Sequence, residues 1–324
     1  MEKSVKINTF ANLMELIRIM IRNTIKPLIF VALIWATTSP LMGQNPRPSK
    51  ADNALDFGIY VGGSNYLGEL TQSYLPVWSE THLGFGAMVR YNMGGISLRA
   101  SAMYMRVSGD DKNFADDDEF RARRNLSFRS NIYEFSAGVE WNLLGWQQTR
   151  TSYPNSPYLF ASIGAFRFNP MAQFVYVPGH HDPSLEPQDG SWVELQPLST
   201  EAQETTINND QKRYSLTQVV IPFGLGYKFQ LSEHWTFGIE FGMRKTFTDY
   251  LDDISTIYWD DQDVQGSGGF MAFAMKDRAV EAGYEPFPLD AQRGNPNTKD
   301  WYMFGGINIT YRILGGKDPC PSFK

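Results

Sequence analysis

Residues 219–243 read VVIPFGLGYKFQLSEHWTFGIEFGM and alternate between two faces almost throughout. Val219, Ile221, Phe223, Leu225, Tyr227, Phe229 and Leu231 share one face of a period-two strand, with Pro222, Gly224, Gly226, Lys228 and Gln230 on the other. Trp235, Phe237, Ile239, Phe241 and Met243 then repeat the apolar face against Thr236, Gly238, Glu240, Gly242 and Arg244. Both runs exceed the usual strand and reach the about 9–11 tilted residues that cross a bilayer. The stretch is therefore expected to be a membrane-length β-hairpin. Its two apolar faces share a side of the sheet only if the loop has an odd number of residues, which selects Ser232-Glu233-His234. Leu231 then faces Trp235 and Lys228 faces Gly238. Glu240 lies diagonally from Lys228, so an ion pair between them is expected on the glycine-rich face.

The same alternation recurs along the chain. Strands are expected over 56–64, 83–91, 96–104, 131–143, 158–168 and 301–314, in addition to the hairpin. The run 158–168 is the least clear, because both its faces carry apolar residues. Apolar parity switches from odd to even between 83–91 and 96–104, so the intervening turn needs an even number of residues, either Met93-Gly94 or 92–95. The fold class is thus all-β: an eight-stranded antiparallel transmembrane barrel with long extracellular loops, over 55–314. Connection lengths agree. The long ones, 65–82, 107–130, 169–216 and 245–300, all fall on one side, as outer-membrane barrels require.

The polar face decides which side looks out. It collects Arg90, Arg99, Glu134, Glu140, Lys228, Glu240, Arg244 and Arg312 among glycines. An eight-stranded barrel has an interior only just filled by side chains, so these groups are expected to form a neutralised plug with glycine making room. A water-filled cavity-binding barrel would gain nothing from glycines on its solvent face. Trp141, Trp235, Tyr91, Tyr104, Tyr227 and Tyr311 are candidates for interfacial aromatic belts.

A negative mean hydropathy of −0.34 excludes a helical membrane protein yet permits a barrel, whose apolar face is diluted by lumen and loops. Residues 1–43 are expected to be a signal peptide cut between Gly43 and Gln44, with Met20 a tidier start than Met1. A periplasmic leader, 44–54, and a C-terminal periplasmic tail, 315–324, flank the barrel. Cleavage removes Lys3, Lys6, Arg18, Arg22 and Lys26 against Glu2 and Glu15, moving the formal charge from −6 to −9. That balance disfavours nucleic acid as a partner. Cys320 is the single cysteine and allows only an intermolecular thiol bridge, a free thiol being the simpler reading.

Enzymatic motifs do not stand out, and no cofactor is expected. His180-His181-Asp182 has no third ligand at a standard zinc spacing, and Asp260, Asp261 and Asp263 lack the glycine and glutamate of a calcium loop. Asp116 to Glu119 followed by Arg121, Arg123 and Arg124 is a self-neutralising charge run, expected on the surface. The segment 244–256 differs. Thr246, Thr248, Asp249, Tyr250, Asp252 and Asp253 make it rich in local hydrogen-bonding groups, as either an ordered loop over the barrel mouth or a partner-docking surface.

Several segments resemble the PorG-like family of Bacteroidetes outer-membrane proteins associated with type IX secretion. They are Tyr66-Leu67-Gly68-Glu69-Leu70, Ser108-Gly109-Asp110-Asp111, Arg124-Asn125-Leu126-Ser127-Phe128-Arg129-Ser130, Phe168-Asn169-Pro170-Met171-Ala172, Leu195-Gln196-Pro197-Leu198, residues 244–256, Gly294-Asn295-Pro296-Asn297 and the final strand. The family pattern has glycine where this chain has Ser199 and Ala202. The resemblance implies a non-enzymatic barrel that sits among outer-membrane lipids. On its periplasmic side it would anchor a ring of proteins resembling the lipoprotein PorK and its partner PorN. The alternatives are a small-solute channel, or an enzyme with Asp249, Asp252 and Asp253 as acids in the long loops.

Overall fold

The computed structural model describes residues 53–71, 76–146, 155–204 and 212–313. The expected signal peptide, most of the leader, the tail and Cys320 lie outside the described residues. Eight strands form the wall: β1 (Asn53–Leu67), β2 (His82–Met93), β3 (Ile96–Asp110), β4 (Ser127–Asn142), β5 (Asn155–Arg167), β8 (Thr217–Gln230), β9 (Trp235–Thr246) and β10 (Trp301–Ile313). Each pairs antiparallel with its neighbours in the wall, and β1 pairs with β10 to close the ring. Two short strands, β6 (Pro170–Gln173) and β7 (Trp192–Glu194), extend the sheet from β4 above the wall. The wall strands begin earlier or end later than the alternation alone indicates, because β3 and β4 stay paired out to Asp110 and Ser127, beyond the apolar band.

Parity is as expected, and it inverts the polarity of a water-soluble protein. Outward residues such as Phe135 (67% exposed) and Leu225 (58%) are apolar, whereas inward Arg90 and Lys228 are fully buried. Only a surrounding medium as apolar as lipid makes that arrangement favourable. This is the architecture of an outer-membrane β-barrel. No helix among the described residues is long and apolar enough to cross a membrane, so the strands make the crossing. The short turns, the start of β1 and the end of β10 lie on one side, the periplasmic one; the long connections lie on the other.

The hairpin register is the expected one, with Lys228 opposite Gly238 and the Leu231 N–H donating to the Trp235 carbonyl. The β2–β3 turn is even but falls on Gly94-Gly95, with Met93 opposite Ile96; Gly94 takes φ +78°, which a tight two-residue turn requires. In β5 the ambiguity resolves with Tyr158, Phe160 and Phe166 inside. Glycine makes the room: a Cβ at Gly226 would stand 2.3 Å from Tyr158 Cζ. Tyr91, Trp141, Tyr227, Trp235 and Tyr311 lie toward the turn end, and Tyr104 lies toward the loop end beside Tyr133 (ring centroids 5.3 Å apart).

Candidate functional site

Two polar constellations occupy the molecule's axis, one in the lumen and one in the cap that the long loops build over it. In the lumen, Glu140 on β4 sits between Arg90 Nε at 3.0 Å and Lys228 Nζ at 2.5 Å. Arg99 on β3 grips both oxygens of Glu240 on β9, at 2.9 and 3.0 Å, and its guanidinium lies 4.2 Å from the Phe160 ring centroid. Arg244 approaches Glu134 at 3.5 Å, and the Tyr302 hydroxyl donates to Glu134 at 2.8 Å. The expected ion pair between Lys228 and Glu240 does not form. In a narrow barrel a long inward side chain reaches across the axis more readily than along its own ladder, so each partner is exchanged for one on a distant strand.

Sequence reasoning missed two members. Asp56 on β1 accepts from Arg312 Nε at 3.0 Å and from Asn92 at 2.7 Å; its even position among odd apolar ones was the available signal. Trp146, in the β4–β5 connection, is 2% exposed and places its ring 4.2 Å from Lys228 Nζ, closing the turn end of the lumen. No periodic pattern marks it. The plug is also only half ionic, because Tyr60, Met103, Met105, Phe166, Val220 and Phe304 fill the loop end with an apolar cluster continuous with the cap.

The cap draws together the segments on which the family resemblance rests. Arg124 ends helix α1 (Glu119–Arg124) and holds Asp111 through two bonds of 2.7 and 2.8 Å. Asp116, Asp117 and Glu119 of the charge run are exposed as expected, but Arg124 is 4% exposed and turns inward to a buried carboxylate. Arg293 donates to Glu201 at 2.9 Å and to the Asp253 carbonyl at 2.5 Å. Glu201 in turn accepts from the backbone of Ser255 at 2.9 Å and from the Thr256 hydroxyl at 2.8 Å. Ser199 and Ala202 both adopt left-handed backbone, φ 53° and 55°, the region that glycine occupies without strain.

Thr246, Thr248, Asp249, Asp252 and Asp253 are all buried, and Tyr250 is half-buried, stacked on Tyr214 with centroids 4.8 Å apart. These residues form the ordered loop and are turned away from solvent. Asp253 accepts from the Tyr214 hydroxyl at 2.7 Å, and Asp249 accepts from the Ser255 hydroxyl at 2.7 Å. The connection 245–300 is more regular than expected, since helix α2 (Asp261–Lys276) runs through it with a break at Gly269. Asp260 caps that helix, accepting from Gln262 N–H at 2.9 Å, and Asp261 pairs with Lys276, so these acids start a helix. His181 Nδ1 accepts from Val177 N–H at 3.1 Å. Among the described residues no cluster of three or more His, Cys, Asp or Glu side chains has metal-binding geometry.

One junction requires a proton. The Tyr66 oxygen lies 2.6 Å from Asp252 Oδ2 and 2.7 Å from Asp300 Oδ1, and it accepts from Glu69 N–H at 3.0 Å. A phenol has one hydrogen to give, so the second carboxyl must supply its own. Burial drives the Asp252 and Asp300 carboxyls well above the usual range, and repulsion from neighbouring Glu69 adds to it. Burial likewise raises Glu69 to about 7, and Asp249 and Asp253 to about 6. Such groups bind more protons folded than unfolded, so their contribution is complete below the ordinary carboxylate range and is lost as pH rises through the folded values. Hydrogen-exchange protection of the amides in 249–256, corrected for intrinsic rates, is expected to fall roughly tenfold or more between pH 5 and pH 8. Flat protection over that range would contradict the shared proton.

The profile of a domain of unknown function (DUF6089) matches residues 48–181, which span the first five wall strands. No curated protein matches the chain in sequence. Solved structures similar to it include Ail, the attachment invasion locus protein of Yersinia pestis, at 10% identity and TM-score 0.35 over 81% of this chain and 99% of Ail. Neisserial surface protein A follows at 8% and 0.36, over 80% and 97% respectively. OprG of Pseudomonas aeruginosa stands at 8% and 0.32, over 83% and 100%. The closed pairing of this chain's own eight strands, not these likenesses, makes it a barrel.

Proposed function

We propose that this barrel is a non-enzymatic structural anchor of a type IX secretion or gliding apparatus. Its periplasmic turn face would contact a ring of proteins resembling PorK and PorN. The observation that carries the reading is the filled axis: Trp146 at one end, the ion-pair web in the middle and the apolar cluster beneath the cap at the other. A barrel closed along its length works by what its surfaces hold, which weighs against a solute channel. The acids Asp249, Asp252 and Asp253 are committed to hydrogen bonds within the cap, which weighs against a loop-based enzyme. The segments resembling the PorG-like family supply the choice of apparatus.

The test is crosslinking in native outer membranes, with pull-down on a tag in the tail near Cys320 and mass spectrometry of the adducts. Ring lipoproteins are expected in the eluate. Recovery of the barrel alone, from membranes in which the ring is intact, would overturn the anchoring role.

A further inference from the structure

Along the outward faces of the eight wall strands, from the turn end up to the level of Arg129, charge is confined to Arg106 on β3, Arg129 on β4, Arg167 on β5 and Lys245 on β9; Asp110 lies one step above, at the end of β3. All four are cations, and all sit at the cap-side rim. On the turn side the outward strand faces carry aromatic side chains and no charged one among the described residues, Glu233 lying in the β8–β9 turn itself. Three of the cations form a group on adjacent strands. Arg106 is paired with Asn131, so it lies diagonal to Arg129; Arg167 is paired with Tyr133, one step down on the other side of β4.

These cations differ from the arginines of the lumen, each of which has a carboxylate partner. None of the four rim cations has a carboxylate within 4.0 Å among the described residues. Two like charges set diagonally on one sheet face repel unless something answers them. Two of the guanidinium groups are nevertheless held in place. Asn131 Oδ1 accepts from Arg106 Nε at 2.9 Å and from the Tyr104 hydroxyl at 3.1 Å, while the Arg129 guanidinium lies 3.3 Å from the Trp192 ring centroid. Tyr104, Tyr133 and Trp301 face outward toward the same rim and mark the headgroup level.

We propose that the β3–β4–β5 rim is a binding site for the phosphate groups of a phosphorylated membrane glycolipid in the leaflet facing the cap, with Lys245 as a second, separate contact. Guanidinium forks fit phosphate oxygens in pairs, and at that depth lipid headgroups are the anions the surroundings offer. The one-sided placement makes the site specific to one leaflet. It goes beyond the anchoring role, which concerns the periplasmic face.

The test places the full-length protein in nanodiscs of phosphatidylcholine containing bisphosphorylated lipid A, or the same glycolipid stripped of both phosphates. Native mass spectrometry counts the glycolipid retained per barrel after detergent exchange. The wild-type protein is expected to retain the phosphorylated form roughly tenfold or more over the stripped form. The combined variant Arg106→Gln/Arg129→Gln/Arg167→Gln is expected to lose that preference. Arg167→Gln alone touches an exposed side chain with no hydrogen bond or ion pair among the described residues, so it keeps the test open if the combined variant does not fold; a several-fold loss is expected. Equal retention of stripped and phosphorylated glycolipid, or full retention by folded variants, would overturn the site.

Discussion

Glu140→Ala is expected to destabilise the barrel by about 3–5 kcal/mol, the usual cost of removing one partner from a buried charge group. Arg90 and Lys228 would each lose their only carboxylate within 4.0 Å among the described residues, and Arg99 the weaker of its two carboxylate contacts, at 3.8 Å. The measurement is the urea midpoint of barrel unfolding in lipid vesicles, followed by heat-modifiable gel mobility. Glu233→Ala, in the exposed β8–β9 turn, is the control and is expected to change stability by less than about 0.5 kcal/mol. Adding Lys228→Met to Glu140→Ala should recover part of the loss, because the stranded cation goes with it. An unchanged midpoint in Glu140→Ala would mean that the web does not hold the lumen.

Arg293→Ala is expected to open the cap while leaving the barrel folded. The side chain is 2% exposed and joins three separate segments, through Glu201 at 2.9 Å, the Asp253 carbonyl at 2.5 Å and the Lys276 carbonyl at 3.2 Å. Its loss leaves Glu201 without its arginine, which at about 3–5 kcal/mol rivals the stability of the cap itself. Proteinase cleavage within 245–300 on intact cells, set against an unchanged urea midpoint for the barrel, reads the two parts separately. Arg123→Ala, which loses bonds to the carbonyls of Glu285 and Pro286 and the stacking of its guanidinium on the Phe287 ring at 4.1 Å, should cost no more than about 2 kcal/mol. Protease resistance equal to wild type would show that the cap is held by its apolar contacts instead.

How far the fold is legible depends on the range of each interaction. Alternation is local, so the strands, the hairpin register and the side that carries the loops follow from residue order alone, as Leu231 opposite Trp235 illustrates. Partner choice in the lumen is not local. Lys228 and Glu240 lie diagonally on one ladder, yet they find Glu140 and Arg99 because closure brings strands far apart in sequence face to face. Trp146 carries no periodic signal, and α2 is disguised by Gly266, Gly268 and Gly269. In the cap, Arg124 has acidic neighbours along the chain but bonds to Asp111 on the preceding loop. Ser199 and Ala202 give no local sign of their conformation, and the structure places both in left-handed backbone.

The pairing of Asp56 with Arg312 also bears on assembly. The two residues are direct cross-strand partners on β1 and β10, the first and last strands of the wall. A chain that stops before β10 would lack the cation for Asp56 and the Tyr302 hydroxyl for Glu134. Sealing the seam is thus the step that neutralises the first and last wall strands at once, so an unclosed wall carries the penalty of an unpaired buried carboxylate.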